Sequence, residues 1–342
     1  MYLLYYAGMG GDRSAEQIGM ATSEDGLQFN RTEGGGLILA RNPKIPWKNA
    51  RVCNPAVVVR GRELTMFYHG AQCDAAGRTL RHTIGLAMST DGIKWTDVDE
   101  PVLRPEDVAG DVEPLAPNQT AGVIEPCLLV EDGHLRMWFI YYHDSLQQGT
   151  LCHAVSRDGC RWEVTGRGIL AASQFGDCRL HYPHVIRRSS FYEVWFSLRS
   201  MATGAFGIFK MRSTDGLRMD SLEQVLPKQC RNMTLGPREF IGVHVGGRPL
   251  RGLGTVNWAL SQVFEGGSRA WGYAHPHLDE ADGTPALYFQ RYNVRGRTHW
   301  MDIGRGELEA GRVRRERTVL GPSRDVHAWD SFFVADPFVL KV

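Results

Sequence analysis

A chain of 342 residues, 43% hydrophobic and 10% aromatic, has ample material for a buried core, and its formal net charge of +1 excludes bulk electrostatic attraction to nucleic acid or an acidic membrane. Its seven cysteines (Cys53, Cys73, Cys127, Cys152, Cys160, Cys178 and Cys230) are odd in number and widely spaced with no Cys-x-x-Cys pair, which argues against a disulfide framework or a structural zinc site and predicts reduced thiols. The opening MYLLYYAG is too short to span a bilayer and lacks the basic region and cleavage site of a signal peptide, so the expected location is the cytoplasm.

In chain order, the first predicted strand is MYLLYYAGM, followed by QIGMATS and a turn, SEDGLQF (Ser23 to Phe29). Next come CNPAVVV, with Asn54-Pro55, then the aromatic ELTMFYHG, then IGLAM and the turn STDGIKW (Ser89 to Trp95). The order recurs as IEPCLLV (Glu125-Pro126), HLRMWFIYYHD, LCHAV and SRDGCRW (Ser156 to Trp162), and again as HYPHVI (Tyr182-Pro183), FYEVWFSLRS and STDGLRM (Ser213 to Met219). A weaker copy is AHPHL (His275-Pro276) followed by PALYFQRYN, and the chain ends on VADPFVL, which carries Asp336-Pro337. GVHVGGRPLRGLGTVNW (Gly242 to Trp258) fits this register worst and reads as an insertion or the irregular outer part of the fourth unit.

Four Ser-x-Asp-Gly turns in one context are a repeat, and each has a mechanism: aspartate supplies a side-chain acceptor and glycine a positive φ. Proline at the start of a strand is tolerated because its missing N–H lies outside the ladder. The unit is a short inner strand, an aromatic second strand, a third strand, and an Asp-Gly turn into a fourth, which is one blade of a β-propeller. VADPFVL and MYLLYYAGM are then the first two strands of one blade, split between the chain ends. The expectation is an all-β, five-bladed β-propeller spanning residues 1–342 as a single domain, closed by the C-terminal strand joining the N-terminal blade.

Inner strands line a propeller's channel, so the residues before each proline form a ring: Asp336, Asn54, Glu125, Tyr182 and His275. All five are polar and two are acids, where a purely structural repeat would place small or apolar residues. The second strands return to the same mouth and bring His69, His143 with Asp144, Arg199 and Arg291. Upstream of the inner strands lie Trp47, Arg51, Asp177, Arg179 and His181, and just inside is His184. Such a cup suits a hydroxyl-rich or anionic ligand, a small molecule or an oligosaccharide. No P-loop, dinucleotide fingerprint, GxSxG or HExxH is present, and neither cofactor nor metal is expected.

The Asp-Pro strand, the Ser-x-Asp-Gly-x-x-Trp turns and the five-fold count resemble the five-bladed propeller glycosidases of glycoside hydrolase families 43, 32 and 68 and the mannoside phosphorylases of family 130. Relative to their usual order this chain looks circularly permuted by one strand. The resemblance to family 32 implies a nucleophile at Asp336 and an acid/base at Glu125, with Asn54 where a transition-state-stabilising aspartate is expected and Arg51 nearby. The family 43 pattern wants its acid on the fourth blade, where Tyr182 stands. In the family 130 comparison, CNPAVVV matches the Asn-Pro strand, while IEPCLLV carries Cys127 where an arginine belongs. The implied pair is Glu125 as general acid/base and Asp336 as nucleophile or base, with Asn54, Tyr182, Arg179 and His275 holding hydroxyls. A propeller enzyme with altered chemistry on a small metabolite and a non-catalytic sugar-binding propeller stand as alternatives.

Overall fold

The computed structural model describes residues 1–342 apart from 11–14, 110–114, 117–118, 145, 147, 202–205, 221, 227–243, 246–247, 250–268, 281–282, 284, 296–297, 310–311 and 326. Most of the segment Gly242 to Trp258 lies outside the described residues. The described elements are nearly all strands: β1 (Tyr2–Met9), β2 (Glu16–Ser23), β3 (Asn30–Arg31), β4 (Leu37–Leu39), β5 (Arg51–Arg60), β6 (Glu63–Cys73), β7 (Thr79–Ser89), β8 (Thr96–Asp97), β9 (Ala121–Glu131), β10 (His134–His143), β11 (Thr150–Ser156), β12 (Glu163–Ala171), β13 (Cys178–Arg187), β14 (Tyr192–Ser200), β15 (Phe206–Ser213), β16 (Leu222–Leu226), the small pair β17 (His244–Val245) and β18 (Arg248–Pro249), β19 (Arg269–Asp279), β20 (Ala286–Arg295), β21 (Thr298–Glu309), β22 (Arg312–Leu320) and β23 (Phe333–Lys341). No described helix is long and apolar enough to cross a membrane.

The strands pair as antiparallel meanders: β23-β1-β2 with β3 and β4, β5-β6-β7-β8, β9-β10-β11-β12, β13-β14-β15-β16 and β19-β20-β21-β22. A short parallel contact of β7 with β9, Arg81 opposite Ala121 and His82 opposite Gly122, joins the second meander to the third. β23 pairs with β1 from Tyr2 opposite Lys341 to Met9 opposite Phe333, so the split blade is completed between the chain ends. Each meander contacts the next through its inner strand, and the fifth contacts the first through β19, β20 and β21 against β23. This is a propeller-type fold, and the strand that would be an open edge is covered.

The repeated turns explain how neighbouring blades adhere. Ser23, Ser89, Ser156 and Ser213 each accept the N–H of the glycine three residues on, at 2.8–3.0 Å, through Oγ. The aspartates accept the following backbone N–H groups, which lowers the pKa of Asp25, Asp91, Asp158 and Asp215. The glycines, at φ 71–85°, press against an aromatic of the preceding blade: Gly26 carries the carbonyl that accepts from Tyr288, Gly92 from Tyr5 and Gly216 from Trp138, while Gly159 faces Phe67. Positive φ and the absence of Cβ are both required there.

Candidate active site

Each inner strand breaks register with its neighbour at the x-Pro dipeptide, where two residues oppose one: Asn54-Pro55 against Tyr68, Glu125-Pro126 against Phe139, Tyr182-Pro183 against Phe196, His275-Pro276 against Phe289 and Asp336-Pro337 against Tyr6. All five opposing aromatics are fully buried. The residue before each proline adopts the left-handed conformation, with φ from 51° to 58°. For a non-glycine residue that conformation costs about 1–3 kcal/mol, and five such bulges at equivalent places are a built feature. Sequence places these residues in a ring, and the bulge turns their side chains out of the strand's alternation.

Within the ring the acids are held on both oxygens. Asp336 Oδ2 accepts the Asn54 backbone N–H at 3.3 Å and its Oδ1 lies 3.2 Å from His275 Nδ1. Glu125 Oε2 accepts the Tyr182 N–H at 2.7 Å and its Oε1 lies 2.9 Å from His181 Nδ1. Both carboxylates are buried. The Tyr182 ring stacks on His275 with centroids 4.7 Å apart, and burial, reinforced by the Asp336 and Glu125 charges, pushes its hydroxyl well above the usual range.

Asp336, Glu125, Asn54, Tyr182, Arg51, Arg179, His69 and His181 line one cavity of about 270 Å³. His275 supports it through Asp336 and Tyr182. The remaining sequence candidates lie elsewhere. Trp47 is a core residue: its ring stacks on Tyr68 and covers Gly70 and Gly85, and its Nε1 donates to the Asp99 carbonyl at 2.7 Å. Arg199 sits behind the wall over the Phe206 ring, and Arg291 is tied to Asp302, Glu316 and Thr318. His143 packs near Tyr141, its neighbour Asp144 accepts the Thr120 N–H, and Asp177 is exposed. His184, whose Nε2 accepts the Leu278 N–H, packs at a tilt against His277, which meets Phe338, and this layer follows the ring along the inner strands.

No protein-family model matches the chain, and no curated protein matches its sequence. Solved structures do. A thermostable family-43 glycoside hydrolase aligns with a TM-score of 0.56 at 14% identity, covering 94% of this chain and 93% of that one. The fold is that of the propeller glycoside hydrolases. An α-L-arabinanase mutant from Cellvibrio cellulosa aligns at 0.53 and 13% identity, covering 91% and 90%, and a Bombyx mori family 32 β-fructofuranosidase at 0.52 and 12%, covering 87% of this chain and 55% of that one.

On this glycoside hydrolase fold the cavity also receives residues that the sequence reading did not select. Glu16 opens β2 and pairs with Arg51 at 3.3 Å, placing a third carboxylate in the wall. His82, from β7, and Cys53 join His69 on the side of the second blade, and Tyr142, Gln290 and Met301 close the others. Gln290 donates to Met301 Sδ at 2.9 Å, while its buried Oε1 has no hydrogen-bond partner among the described residues. The sequence carries a signal for Glu16 and His82: third strands begin at the mouth where second strands end. Among the described residues no group of three or more histidine, cysteine or acidic side chains is arranged to hold a metal.

Proposed function

We propose that the protein hydrolyses glycosidic bonds in this cavity, with Glu125 as general acid/base and Asp336 as nucleophile or general base on the sugar's anomeric carbon. The observation that carries the reading is the pair of buried carboxylates, from the inner strands of two different blades, on the wall of one small cavity, each held at both oxygens. One protonated carboxyl to serve the leaving oxygen and one ionised carboxylate for the anomeric carbon or its water are what this chemistry requires. His181 Nδ1, at 2.9 Å from Glu125, is placed to exchange a proton with it. The cavity volume, near the lower end for ligand sites, suits a single sugar ring and so terminal-residue cleavage. The similarity of fold to a family-43 glycoside hydrolase and an α-L-arabinanase agrees with this reading. We read the five meanders as five blades of one domain.

Hydrolysis is favoured over phosphorolysis by the cationic groups available. Cys127 stands where the resemblance to the phosphorylases calls for arginine, and its buried thiol, pushed up to about 12 by desolvation, accepts the Val185 N–H and offers phosphate nothing. Arg51 is already engaged with Glu16, so Arg179 is the other wall arginine whose role the phosphate arm of the panel below probes.

A panel of aryl furanosides and pyranosides, each with and without phosphate, tests the assignment. Cleavage by the wild type should be independent of phosphate and should fall by about 10²–10⁴-fold in Glu125→Gln and Asp336→Asn. The anomer released, followed by proton NMR, decides whether Asp336 attacks carbon or activates water. Full turnover in both variants would sink the assignment, and sugar binding without turnover, unchanged by either substitution, would make the protein a binding module.

A further inference from the structure

A buried chain of two imidazoles ends on the blade-two member of the ring. His82 Nδ1 lies 2.5 Å from His69 Nε2, and His69 Nδ1 lies 3.1 Å from Asn54 Oδ1 and 3.3 Å from Cys53 Sγ. Cys53 Sγ in turn lies 3.4 Å from the same Asn54 Oδ1. All four residues are buried and all four line the cavity. A lone pair on His69 Nδ1 facing the amide oxygen would be repulsive at this distance, so Nδ1 carries hydrogen. His69 Nε2 is then an acceptor, and the hydrogen between the rings belongs to His82 Nδ1. The Cys53 thiol, kept protonated by burial and the nearby Glu16 and Asp336 charges, adds a second donor to Asn54 Oδ1.

Both lone pairs of the Asn54 oxygen are thereby occupied from the blade side. We propose that His82 and His69 are positioning residues that lock the Asn54 amide with its nitrogen toward the cavity, so that the second blade donates a hydrogen bond to a ligand oxygen. A carboxylate at the same place would only accept. The ligand part of this proposal rests on the reading of the cavity as a sugar site, whereas the tautomers do not. Because the Asn54 backbone N–H also holds Asp336, the donated bond falls beside the carboxylate assigned to the anomeric carbon. The ligand group recognised there is an oxygen lone pair of the sugar, from a hydroxyl or the ring. Burial and the Arg51 charge keep both imidazoles neutral into acid, His82 down to about 3, so the chain keeps its direction across the working pH range.

The first test needs no ligand. Long-range proton–nitrogen NMR of ¹⁵N-histidine-labelled protein, assigned with His69→Gln and His82→Gln, should show both rings neutral with hydrogen on Nδ1 from pH 8 to pH 4. Hydrogen on Nε2 of His69 would overturn the proposal, because Asn54 would then have to present its oxygen to the cavity. The second test uses the aryl glycoside cleaved in the panel, or calorimetric binding of L-arabinose, D-fructose and D-mannose if none is cleaved. His69→Leu should weaken KM or Kd about tenfold while His69→Gln, which can donate to Asn54 and accept from His82, restores most of it. In an Asn54→Ala background His69→Leu should have no further effect, and a full additional loss there would reduce the pair to a merely structural role. Cleavage of no panel glycoside by the wild type, with the tautomers as stated, would overturn the hydrolase reading and leave the oriented amide standing. Absence of binding of any of these sugars, to a protein that cleaves no glycoside, would overturn the ligand part.

Discussion

Asn54, Glu125, Tyr182, His275 and Asp336 are strained residues before they are anything else, since each holds a positive φ with a full side chain. Glycine should therefore be better than alanine there, the reverse of an ordinary strand. Glu125→Gly is expected to be more stable than Glu125→Ala by about 1–2 kcal/mol in urea unfolding, with both inactive. The opposite order would show that the bulge relaxes when its side chain is lost. Buried histidines are the second residue-scale feature. Desolvation holds His82 and His277 at about 3 and His153 at about 4, so all three stay neutral in the folded protein while their unfolded counterparts protonate near 6.5. Protons are thus bound more tightly by the unfolded chain, and stability is full above pH 6.5 and falls as the pH drops toward 3–4. His153 lies outside the cavity, between Arg136 Nε at 3.1 Å and Thr165 Oγ1 at 2.6 Å, and glutamine can serve both. His153→Gln should flatten the acid slope by up to about 1.4 kcal/mol per pH unit between pH 6.5 and 4. Urea midpoints at pH 7, 6 and 5 read this directly.

At the scale of the element, the Ser-x-Asp-Gly turn does two jobs that a single substitution can separate. At Gly92, φ is +75° and an added Cβ would meet the Tyr5 hydroxyl at 2.9 Å; at Gly133 the φ is the same and nothing lies within 4 Å. Gly133→Ala should cost only the left-handed backbone, about 1–2 kcal/mol, whereas Gly92→Ala should cost clearly more because the blade contact must also open. Equal losses in thermal unfolding would mean that the Tyr5 contact contributes nothing. The aspartates of these turns act in the same direction with pH as the histidines, over a lower range. With a pKa held below 3.8 by backbone N–H groups, the stabilisation they give is present above that value and is lost as the pH falls further.

For the whole molecule the decisive contact is the pairing of β23 with β1, which brings Asp336 into the ring from the far end of the sequence. The Val342 N–H donates to the Met1 carbonyl at 3.1 Å, so the two ends of the chain are already adjacent. A permutant that begins at Pro322 and joins Val342 to Met1 should fold with nearly the same thermal midpoint and activity, because only the connection moves. Removal of residues 333–342 should instead abolish cooperative unfolding, since β1 loses one of its two partners and the inner face of the blade is opened. A truncated chain that still melted cooperatively would show that closure is dispensable.

The sequence determined by itself what is local and periodic. Asp-Gly after an alternating run specifies a turn, x-Pro marks the inner strand, and both recur, so the propeller and the five ring residues were legible, the completing pair VADPFVL and MYLLYYAGM included. The fold neighbours agree with the propeller. Off the inner strands the sequence was less reliable: it placed His69 at the cavity, but also Trp47, His143, Arg199 and Arg291, which lie elsewhere, because such places depend on strand length, blade twist and loop packing, which no short-range pattern encodes. Trp47 and Arg51 are close in sequence, one just before β5 and the other its first residue, yet one fills the space above Gly70 and Gly85 while the other reaches Glu16 in the cavity wall. His82 and Gln290 arrive from third and second strands of different blades. Only the closed tertiary structure decides which of these polar groups meet, because burial and orientation are properties of the whole ring of blades.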